Sequence, residues 1–379
     1  MKILFISMPS IHAIRWIYNL KDTSFELYWF DVLGRGNMET INRVHQFTDW
    51  ERRKLPYLKG EYFLSRNYPS FFEKIEPFLK VTANQELEKI IKTIQPDIIH
   101  SFEMQSCSYP IIETMNLYPN IKWIYSCWGS DLFYYRQFSK HQKKIKTVLE
   151  RINFMHADCN RDYTIAKELG FRGINLELIP GGSGFDLELY KKYKTPTEQR
   201  KTIVIKGYQH QFGRGLKVVE ALSEMHSELQ NFEVVVFGAH NVVIDYIKEK
   251  RLPFEYYHRH ELPQNKLLAL MGKSLIYIGN SISDGMPNTL LEAIVMGAFP
   301  IQSNPGGVTA ELIRHGENGF LIENPESTEE IKQLIRMAIS NVTMIETANS
   351  INTVLAQEKL EYEKVKTKIV AMYQNCNIV

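Results

Sequence analysis

Short apolar runs alternate along the chain with stretches in which apolar residues recur every three or four positions. The runs predict strands, which in the first half read KILFIS, FELYWFDV, PDIIHSF, KWIYSCW, HADCN and LELIP, starting at residues 2, 25, 96, 122, 156 and 176. In the second half they read KTIVIKG, FEVVVFG, SLIYIGN and AFPIQSN, starting at residues 201, 232, 274 and 298. Helical periodicity fills intervening stretches such as 84–94, 143–152, 215–229, 264–272, 288–297 and 328–340.

Alternation of strands and helices on this scale predicts α/β domains, in which parallel sheets are covered by helices on both faces. The polar segment LYKKYKTPTEQRK, residues 189–201, interrupts the alternation and contains Pro196, so it is the predicted domain boundary. A chain of 379 residues is long enough for two such domains. We therefore predict two similar α/β domains, with a ligand between them at the carboxyl ends of strands.

Composition narrows the class of protein. The chain is 44% hydrophobic and 23% charged with a formal net charge of +2, which argues against disorder and against a nucleic-acid partner. Its four cysteines form no C-x-x-C pair, so neither a zinc site nor a disulfide framework is indicated, and a cytoplasmic location fits. The apolar run at residues 3–6 is too short for a signal peptide, and no run approaches the ~18 residues of a spanning helix.

The stretch SISDGMPNTLLEAIVMG, residues 281–297, places two carboxylates, Asp284 and Glu292, around a predicted helix start. Pro287 suits the first turn and Gly297 the end of this helix. Unpaired backbone N–H groups at such a start favour a diphosphate; here they would belong to Asn288, Thr289 and Leu290. A carboxylate can accept hydrogen bonds from both hydroxyls of a vicinal diol. The pattern therefore predicts a nucleotide sugar, with Glu292 at one diol and Asp284 at the other.

Two purely structural interpretations stay open for the same residues. Residues 289–292 also match a capping box, in which Glu292 would only cap its own helix. The pair Asp284-Gly285 also matches a simple turn.

The segment DGMPNTLLEAIVMGAFP, residues 284–300, resembles the family 4 (group 1) glycosyltransferase pattern E-G-x-P-x-x-x-x-E-A-x-x-x-G-x-P. The following SNPGGVTAELIRHGENGFLI, the earlier LIPGGSGFDLELY, and PDIIHSFE and WGSDL in the first half are also similar to family elements. The resemblance implies the GT-B fold, with two Rossmann-like, doubly wound domains facing across a cleft. It implies an acceptor-binding domain over 1–188, a nucleotide-sugar-binding domain over 189–361, and a C-terminal helix over 362–379 that crosses back to the first.

The resemblance also implies a reaction. The expected enzyme is a retaining, metal-independent hexosyltransferase without a cofactor, and no D-x-D pair beside a strand opposes this. It would move a sugar from a UDP- or GDP-linked donor to a glycan or lipid-linked acceptor in cell-surface polysaccharide assembly. The expected location is cytoplasmic, with peripheral contact at the inner face of the plasma membrane as an open alternative.

The resemblance assigns individual residues to this reaction. The residues assigned to catalysis are Asp284, Arg214 and Glu292. The residues assigned to the donor are Gly207, Tyr208, Arg214, Gly238, Arg259, His260, Met286, Asn288, Thr289, Leu290 and Glu292. The acceptor-side candidates are Glu103, Trp128 and Asp131 in the similar loops, with His12 and Arg15 after the first strand.

The chain departs from the family pattern at several positions. Asp284 replaces the first Glu, Trp128 replaces a usual His, and SMPSIHAIRW replaces the N-terminal Gly-Gly loop. In the phosphate-binding element IKGYQHQFGRG, Arg214 occupies the Lys position and Tyr208 the Arg position, so one expected cation is missing. Arg214 can still bind phosphate as a fork. Lys206 or His210 could supply the second charge, and the sequence does not decide between them.

Three further features each have an ordinary explanation. His12 and Arg15 could pack helix one, and Trp128 could anchor the core or stack on a sugar. YPSFFEKIEPFLK, residues 68–80, is expected to pack on its own domain, and RQFSKHQKKIK, residues 136–146, to be a solvated face. Membrane contact is the alternative for both segments.

Two other functions stay open from the sequence. A nucleotide-sugar epimerase could use the same architecture, although the DGMP…E element argues against it. A non-catalytic nucleotide-sugar binder is conceivable because of Tyr208 and Asp284.

Overall fold

The computed structural model describes residues 1–378 and groups them into two compact units. The first comprises Met1–Ala157, Asp162–Leu178 and the chain from Lys368, and the second comprises Asp158–Arg161 and Ile179–Thr367. The predicted functional domains, 1–188 and 189–361 with the helix 362–379, stay predictions. Among the residues described, no helix has both the length and the apolar composition needed to span a bilayer.

Seven parallel strands form the sheet of the first unit. They are β1 Lys2–Ser7, β2 Glu26–Asp31, β3 His45–Phe47, β4 Ile98–Phe102, β5 Lys122–Ser126, β6 Phe154–His156 and β7 Ile174–Asn175. Their order is β3-β2-β1-β4-β5-β6-β7, so the strand order reverses between β1 and β4. The central strands are buried along almost their whole length, as expected for a parallel sheet covered on both faces.

Six parallel strands form the sheet of the second unit. They are β8 Thr202–Lys206, β9 Glu233–Ala239, β10 Glu255–His258, β11 Ser274–Gly279, β12 Phe299–Ser303 and β13 Phe320–Ile322. Their order is β10-β9-β8-β11-β12-β13, with the reversal between β8 and β11. Ligands of doubly wound sheets bind where the order reverses, at the carboxyl ends of the strands. The loops after Lys206 and after Gly279 leave the sheet at that point.

Among residues 1–378 there are sixteen α-helices, most of which connect strands. In the first half of the chain they are α1 Ile11–Tyr18, α2 Glu61–Asn67, α3 Pro69–Leu79, α4 Ala83–Ile94, α5 Ile112–Leu117, α6 Ser130–Phe133, α7 Ser139–Arg151 and α8 Asn160–Glu168. In the second half they are α9 Leu187–Tyr190, α10 Gly215–Ser223, α11 Asn241–Glu249, α12 Gln264–Lys273, α13 Asn288–Met296, α14 Thr328–Ile339, α15 Val342–Lys359 and α16 Tyr362–Ile378.

The α/β class and the central strands predicted from the apolar runs are confirmed, but two predicted strands are wrong. HADCN contributes only His156 to a strand, because β6 starts earlier and the polar residues after it lead into α8. LELIP follows β7 and lies outside any strand. Four strands were missed, namely β3, β7, β10 and β13, each of which is short and lies at a sheet edge.

A buried polar network joins β4 to the last helix within the first unit. The ring of His100 is hydrogen-bonded through Nδ1 to the hydroxyl of Tyr373 (2.5 Å) and through Nε2 to that of Ser126 (2.7 Å). The Trp16 indole donates to the same tyrosine hydroxyl (2.7 Å). Burial, reinforced by nearby His156, holds the pKa of His100 well below its usual value, so the ring is neutral in the folded protein.

This depressed pKa predicts acid sensitivity. The unfolded chain takes up a proton at this histidine below pH ~6.5 and the folded chain does not, so stability should fall as the pH drops below that value. We expect His100→Gln to reduce the pH dependence of the free energy of unfolding by about 1 kcal/mol per pH unit. Urea unfolding between neutral and mildly acidic pH measures this change. The control is His226→Gln at an exposed histidine outside this network. An unchanged slope in His100→Gln would contradict the argument.

Candidate active site

Two loops meet at the carboxyl ends of β8 and β11 in the second unit. Gly213 and Ser281 form an isolated antiparallel bridge. The Arg214 N–H donates to the Asn280 carbonyl (2.9 Å), and the Ile282 N–H donates to the Phe212 carbonyl (2.9 Å). These bonds hold the 207–214 and 280–287 loops side by side, so the two predicted halves of the donor site lie next to each other.

Helix α13 starts as predicted, but its first turn differs in detail. Pro287 is the N-cap, and the Leu290 N–H donates to its carbonyl (3.0 Å), so the expectation of an unpaired N–H at Leu290 is wrong. Thr289 is at the second helical position, where the N–H has no intrahelical acceptor, and its hydroxyl is hydrogen-bonded to that of Tyr277 (2.8 Å).

The capping-box interpretation of Glu292 is excluded by its position. A capping box needs the acid three residues after the N-cap, whereas Glu292 comes five residues after Pro287. Its carboxylate is buried and accepts from the side-chain amide of Gln264 (2.7 Å), the first residue of α12. This charge is therefore held one turn inside the helix by a neighbouring helix.

Asp284 lies beside a cation. Its Oδ2 is 3.9 Å from Lys206 Nζ, and its Oδ1 accepts from the Gly285 N–H (3.0 Å), so the turn interpretation also agrees with the geometry. Burial raises the pKa of Asp284, and the charge of Lys206 opposes that rise. The Asp284 carbonyl accepts from Arg161 (2.8 Å), which also donates to the Pro305 carbonyl (2.7 Å). Arg161 therefore connects the 280–287 loop to the chain at Pro305.

Tyr208, which replaces an expected arginine, has two cations close to its ring. Lys206 Nζ is 4.8 Å and the Arg259 guanidinium carbon 5.4 Å from the ring centroid, within reach of cation–π attraction. Gly238 has a φ of +61° and lies against the ring, since a Cβ there would come within 2.5 Å of the tyrosine Cε1. Gly207 is equally confined, because a Cβ would lie 2.6 Å from Val236.

The structure favours Lys206 over His210 as the second positive charge. Burial, with contributions from His240 and nearby cations, lowers the pKa of His210, so its ring is neutral at neutral pH. Lys206 is the last residue of β8, and its Nζ lies 3.9 Å from Asp284 Oδ2. Arg214 is also paired: its Nε donates to Glu326, and its Nη1 donates to the Gly213 carbonyl (2.9 Å).

The remaining predicted donor residues lie around these loops. The Met286 N–H donates to the Asp158 carboxylate (3.0 Å), and the Arg259 N–H donates to the Ala239 carbonyl (3.2 Å). Asn288 begins α13 close to Gly181, where a Cβ would lie 2.8 Å from the asparagine Oδ1. His260 is exposed in the turn after β10 with a φ of +68°.

Sequence reasoning missed three side chains that hold this site together. They are Gln264 on Glu292, Glu326 on Arg214 and Arg161 on the Asp284 carbonyl. Each is far along the chain from its partner. No local spacing could have indicated them.

In the first unit, the acceptor-side candidates Glu103 and Asp131 are two acids removed from solvent, with Asp131 buried and Glu103 half-buried. Glu103 has a φ of +71° and accepts from the N–H groups of Gln105 (2.9 Å) and Ser106 (2.6 Å). Burial and the charge of Asp131 raise the pKa of Glu103 to about 7. Asp131 accepts from the hydroxyl of Tyr125 (2.6 Å), and burial raises the pKa of Asp131 to about 6. Both carboxyls therefore change charge close to neutral pH.

The other acceptor-side candidates lie at neighbouring strand ends of the same unit. Trp128 is half-buried, and its N–H donates to Asp131 (3.0 Å). Exposed His12 on α1 meets the Trp128 ring edge-on at a centroid distance of 5.7 Å. Arg15, one turn further along α1, is half-buried. The loops after β1, β4 and β5 thus bring His12, Trp128 and the two acids together.

Comparison with known proteins gives matches to both halves of the chain. A sequence model described as glycosyl transferases group 1 matches residues 188–353, and one described as glycosyl transferase 4-like matches residues 2–159. TuaC of Bacillus subtilis (strain 168), a candidate teichuronic acid biosynthesis glycosyltransferase, is 23% identical over 293 residues, or 75% of this chain and 71% of TuaC.

Solved structures share the fold over the whole chain. HepE of Anabaena in complex with UDP-glucose has a TM-score of 0.68 at 14% identity, covering 99% of this chain and 100% of that one. Sucrose-phosphate synthase from Thermosynechococcus elongatus has a TM-score of 0.73 at 14% identity, with coverage of 99% and 98%.

Proposed function

Because the chain belongs to the group 1 glycosyltransferases of the GT-B fold, we propose that it is a retaining hexosyltransferase that works without a metal ion. Its donor is a nucleoside diphosphate sugar. A UDP-linked sugar is the first candidate, and a GDP-linked sugar is the second. Its acceptor is a glycan or a lipid-linked glycan of a growing cell-surface polysaccharide. The proposed location is the cytoplasm, at the inner face of the plasma membrane.

The observation that carries the proposal is the ion pair of Lys206 with Asp284 just before α13. A nucleotide sugar places a diphosphate directly beside a ring of hydroxyls, and it therefore needs a cation and a hydrogen-bond acceptor at adjacent positions. Lys206 and Asp284 provide that arrangement. As the bond from the anomeric carbon to the diphosphate breaks, negative charge grows on the leaving group. Lys206, Arg214 and the start of α13 are placed to stabilise it.

Two relatives support the choice of donor and pathway class. HepE is known in complex with UDP-glucose, which favours a UDP-linked sugar. The name of TuaC refers to teichuronic acid biosynthesis, which favours a cell-surface polymer as the product.

The proposal is tested by incubating the protein with a panel of UDP- and GDP-sugars, with and without a mixture of glycan acceptors. We expect sugar transfer with the donor's anomeric configuration, unchanged by excess EDTA, because protein cations neutralise the diphosphate. Loss of activity with EDTA and rescue by a divalent ion would contradict the metal-free mechanism. Formation of a donor epimer in the absence of acceptor would indicate an epimerase. Tight donor binding with neither transfer nor hydrolysis would indicate a non-catalytic binder.

Glu292→Gln should weaken the binding of the nucleoside diphosphate. A charge-assisted hydrogen bond to a ribose diol contributes about 1.5–3 kcal/mol, and this variant keeps the shape and the contact with Gln264. Calorimetric titration with UDP measures the loss. The control is Glu249→Gln on the exposed end of α11, which should bind UDP as the wild type does. If Glu292→Gln binds UDP as tightly as the wild type does, the role of Glu292 is only to connect α13 to α12 through Gln264.

A further inference from the structure

The excursion between β3 and α4 exposes more apolar surface than any comparable segment among the residues described. We call residues 52–81, which include α2 and α3, the aromatic excursion. Its exposed side chains are Leu55, Tyr57, Leu58, Tyr62, Phe63, Tyr68, Phe71 and Phe78, each at least 46% accessible to solvent. Helix α2 buries no residue, and α3 buries only Leu79. Clustered apolar exposure of this kind marks an interaction surface.

The aromatic excursion is closed at its base. Arg53 and Lys80 form an antiparallel bridge, the Lys54 N–H donates to the Leu79 carbonyl (2.9 Å), and the Val81 N–H donates to the Arg52 carbonyl (2.9 Å). The two ends of the excursion are therefore hydrogen-bonded to each other, and α2 and α3 lie between these fixed ends.

Helix α3 divides its apolar residues between two lines. Phe72 and Ile75 are half-buried and Leu79 is buried, so this line packs on the domain as expected. A second line, Phe71 and Phe78 with Lys74 between them at helical spacing, is exposed. The expectation that the whole segment 68–80 packs on its own domain is therefore wrong for this line. Aromatic rings interleaved with lysines are typical of helices that lie in a membrane interface.

A basic helix lies beside the aromatic excursion. Lys144 of α7 pairs with Glu73 of α3 (3.1 Å), which joins the two surfaces. Lys140, Lys143 and Lys146 on α7 are exposed and have no ion-pair partner among residues 1–378. Phe138, just before α7, is 43% exposed and adds a further aromatic ring.

The charge of this surface is one-sided. The aromatic excursion and residues 136–149 together carry twelve Lys and Arg and three Glu, a net charge of +9, while the whole chain has only +2. All three acids are already paired, Glu61 with Arg53, Glu76 with Lys80 and Glu73 with Lys144. Of the remaining cations, Arg136 pairs with Glu168 of α8 (3.2 Å), and the others face solvent, where a negatively charged partner would complement them.

We propose that the aromatic excursion and α7 dock on the surface of an anionic lipid bilayer. The exposed rings enter the boundary between headgroups and acyl chains, and the unpaired lysines and arginines meet lipid phosphates. A second copy of the chain is a poor occupant, because it would bring the same positive charge against this surface. The inference extends the proposed function, since a lipid-linked acceptor would be met there, but membrane binding itself needs no transfer.

Co-sedimentation of the full chain with vesicles tests the proposal. We expect binding to an equal mixture of phosphatidylcholine and phosphatidylglycerol, weak binding to phosphatidylcholine alone, and a decrease with added salt. The double variant Phe71→Ser, Phe78→Ser and the triple variant Lys140→Gln, Lys143→Gln, Lys146→Gln should each bind about tenfold less. All five positions are exposed, so both variants should fold.

Matched controls lie in the second unit. Val242→Ser with Val354→Ser removes two exposed apolar side chains, and Lys248→Gln with Lys250→Gln removes two exposed charges. Both controls should bind vesicles as the wild type does. Equal sedimentation with both lipids, no sedimentation with either, or concentration-dependent pelleting without vesicles would overturn the proposal. UDP binding by the same variants separates this outcome from a failure of the proposed transferase function.

Discussion

Asp284→Ala should reduce sugar transfer about 100-fold and leave UDP affinity unchanged or slightly higher. The carboxylate lies in the loop before α13, 3.9 Å from Lys206, where it can accept hydrogen bonds from the hydroxyls of the transferred sugar. Contacts that tighten in the transition state raise kcat, whereas contacts to the bare nucleotide do not change in this variant. Lys206 also loses its internal counter-charge, which favours the incoming diphosphate.

The measurement is kcat/KM across a panel of donor sugars beside UDP affinity. Asp284→Asn keeps the size of the side chain and one acceptor oxygen, so it should fall between the wild type and alanine. Asp284→Glu restores the residue usual in the family and moves the carboxylate further out, and it should change which donor sugar is preferred. Transfer by Asp284→Ala at the wild-type rate would make this acid a turn residue only.

Lys206→Met should weaken UDP binding about 10- to 100-fold. A charge-assisted bond to phosphate contributes about 1.5–3 kcal/mol, and methionine keeps the length of the side chain without its charge. The loss should shrink at high salt because part of it is electrostatic. Calorimetry at two salt concentrations measures both effects.

His210→Ala is the matched control, because its neutral ring lies in the same loop and should contribute little. Lys206→Arg should recover part of the affinity, since it keeps the charge. If His210→Ala loses the affinity and Lys206→Met does not, the second cation has been assigned to the wrong residue.

The sequence predicted the strands whose apolar runs are long. Strands such as β1 and β9 are buried on both faces, so their composition is a continuous apolar run that needs no structural context to interpret. The edge strand β3 has only three residues and pairs with a neighbouring strand on one side. Neither alternating hydrophobicity nor an apolar run therefore distinguishes it from a loop.

The candidate site was predictable only in part. The start of α13 followed from proline, glycine and helical periodicity, all of which are local. The pairing of Lys206 with Asp284 joins residues 78 positions apart, and the choice between Lys206 and His210 depends on burial. Neither distance nor burial can be read from the residues themselves. The same holds for Phe71 and Phe78, whose spacing fits a packed face as well as an exposed one.

In the proposed donor site, two of the cations already have an anion of their own, Asp284 for Lys206 and Glu326 for Arg214. If the proposed donor binds there, its binding is an exchange of counter-ions, in which the diphosphate displaces internal carboxylates from the cations. Because the charges of Lys206 and Arg214 are already balanced, a small anion gains little by binding to either of them. A ligand must replace both partners at once, which a diphosphate with two linked charges can do and a single phosphate cannot. In the proposed complex, the displaced Asp284 would lie beside the sugar, with its released oxygen available to the hydroxyls.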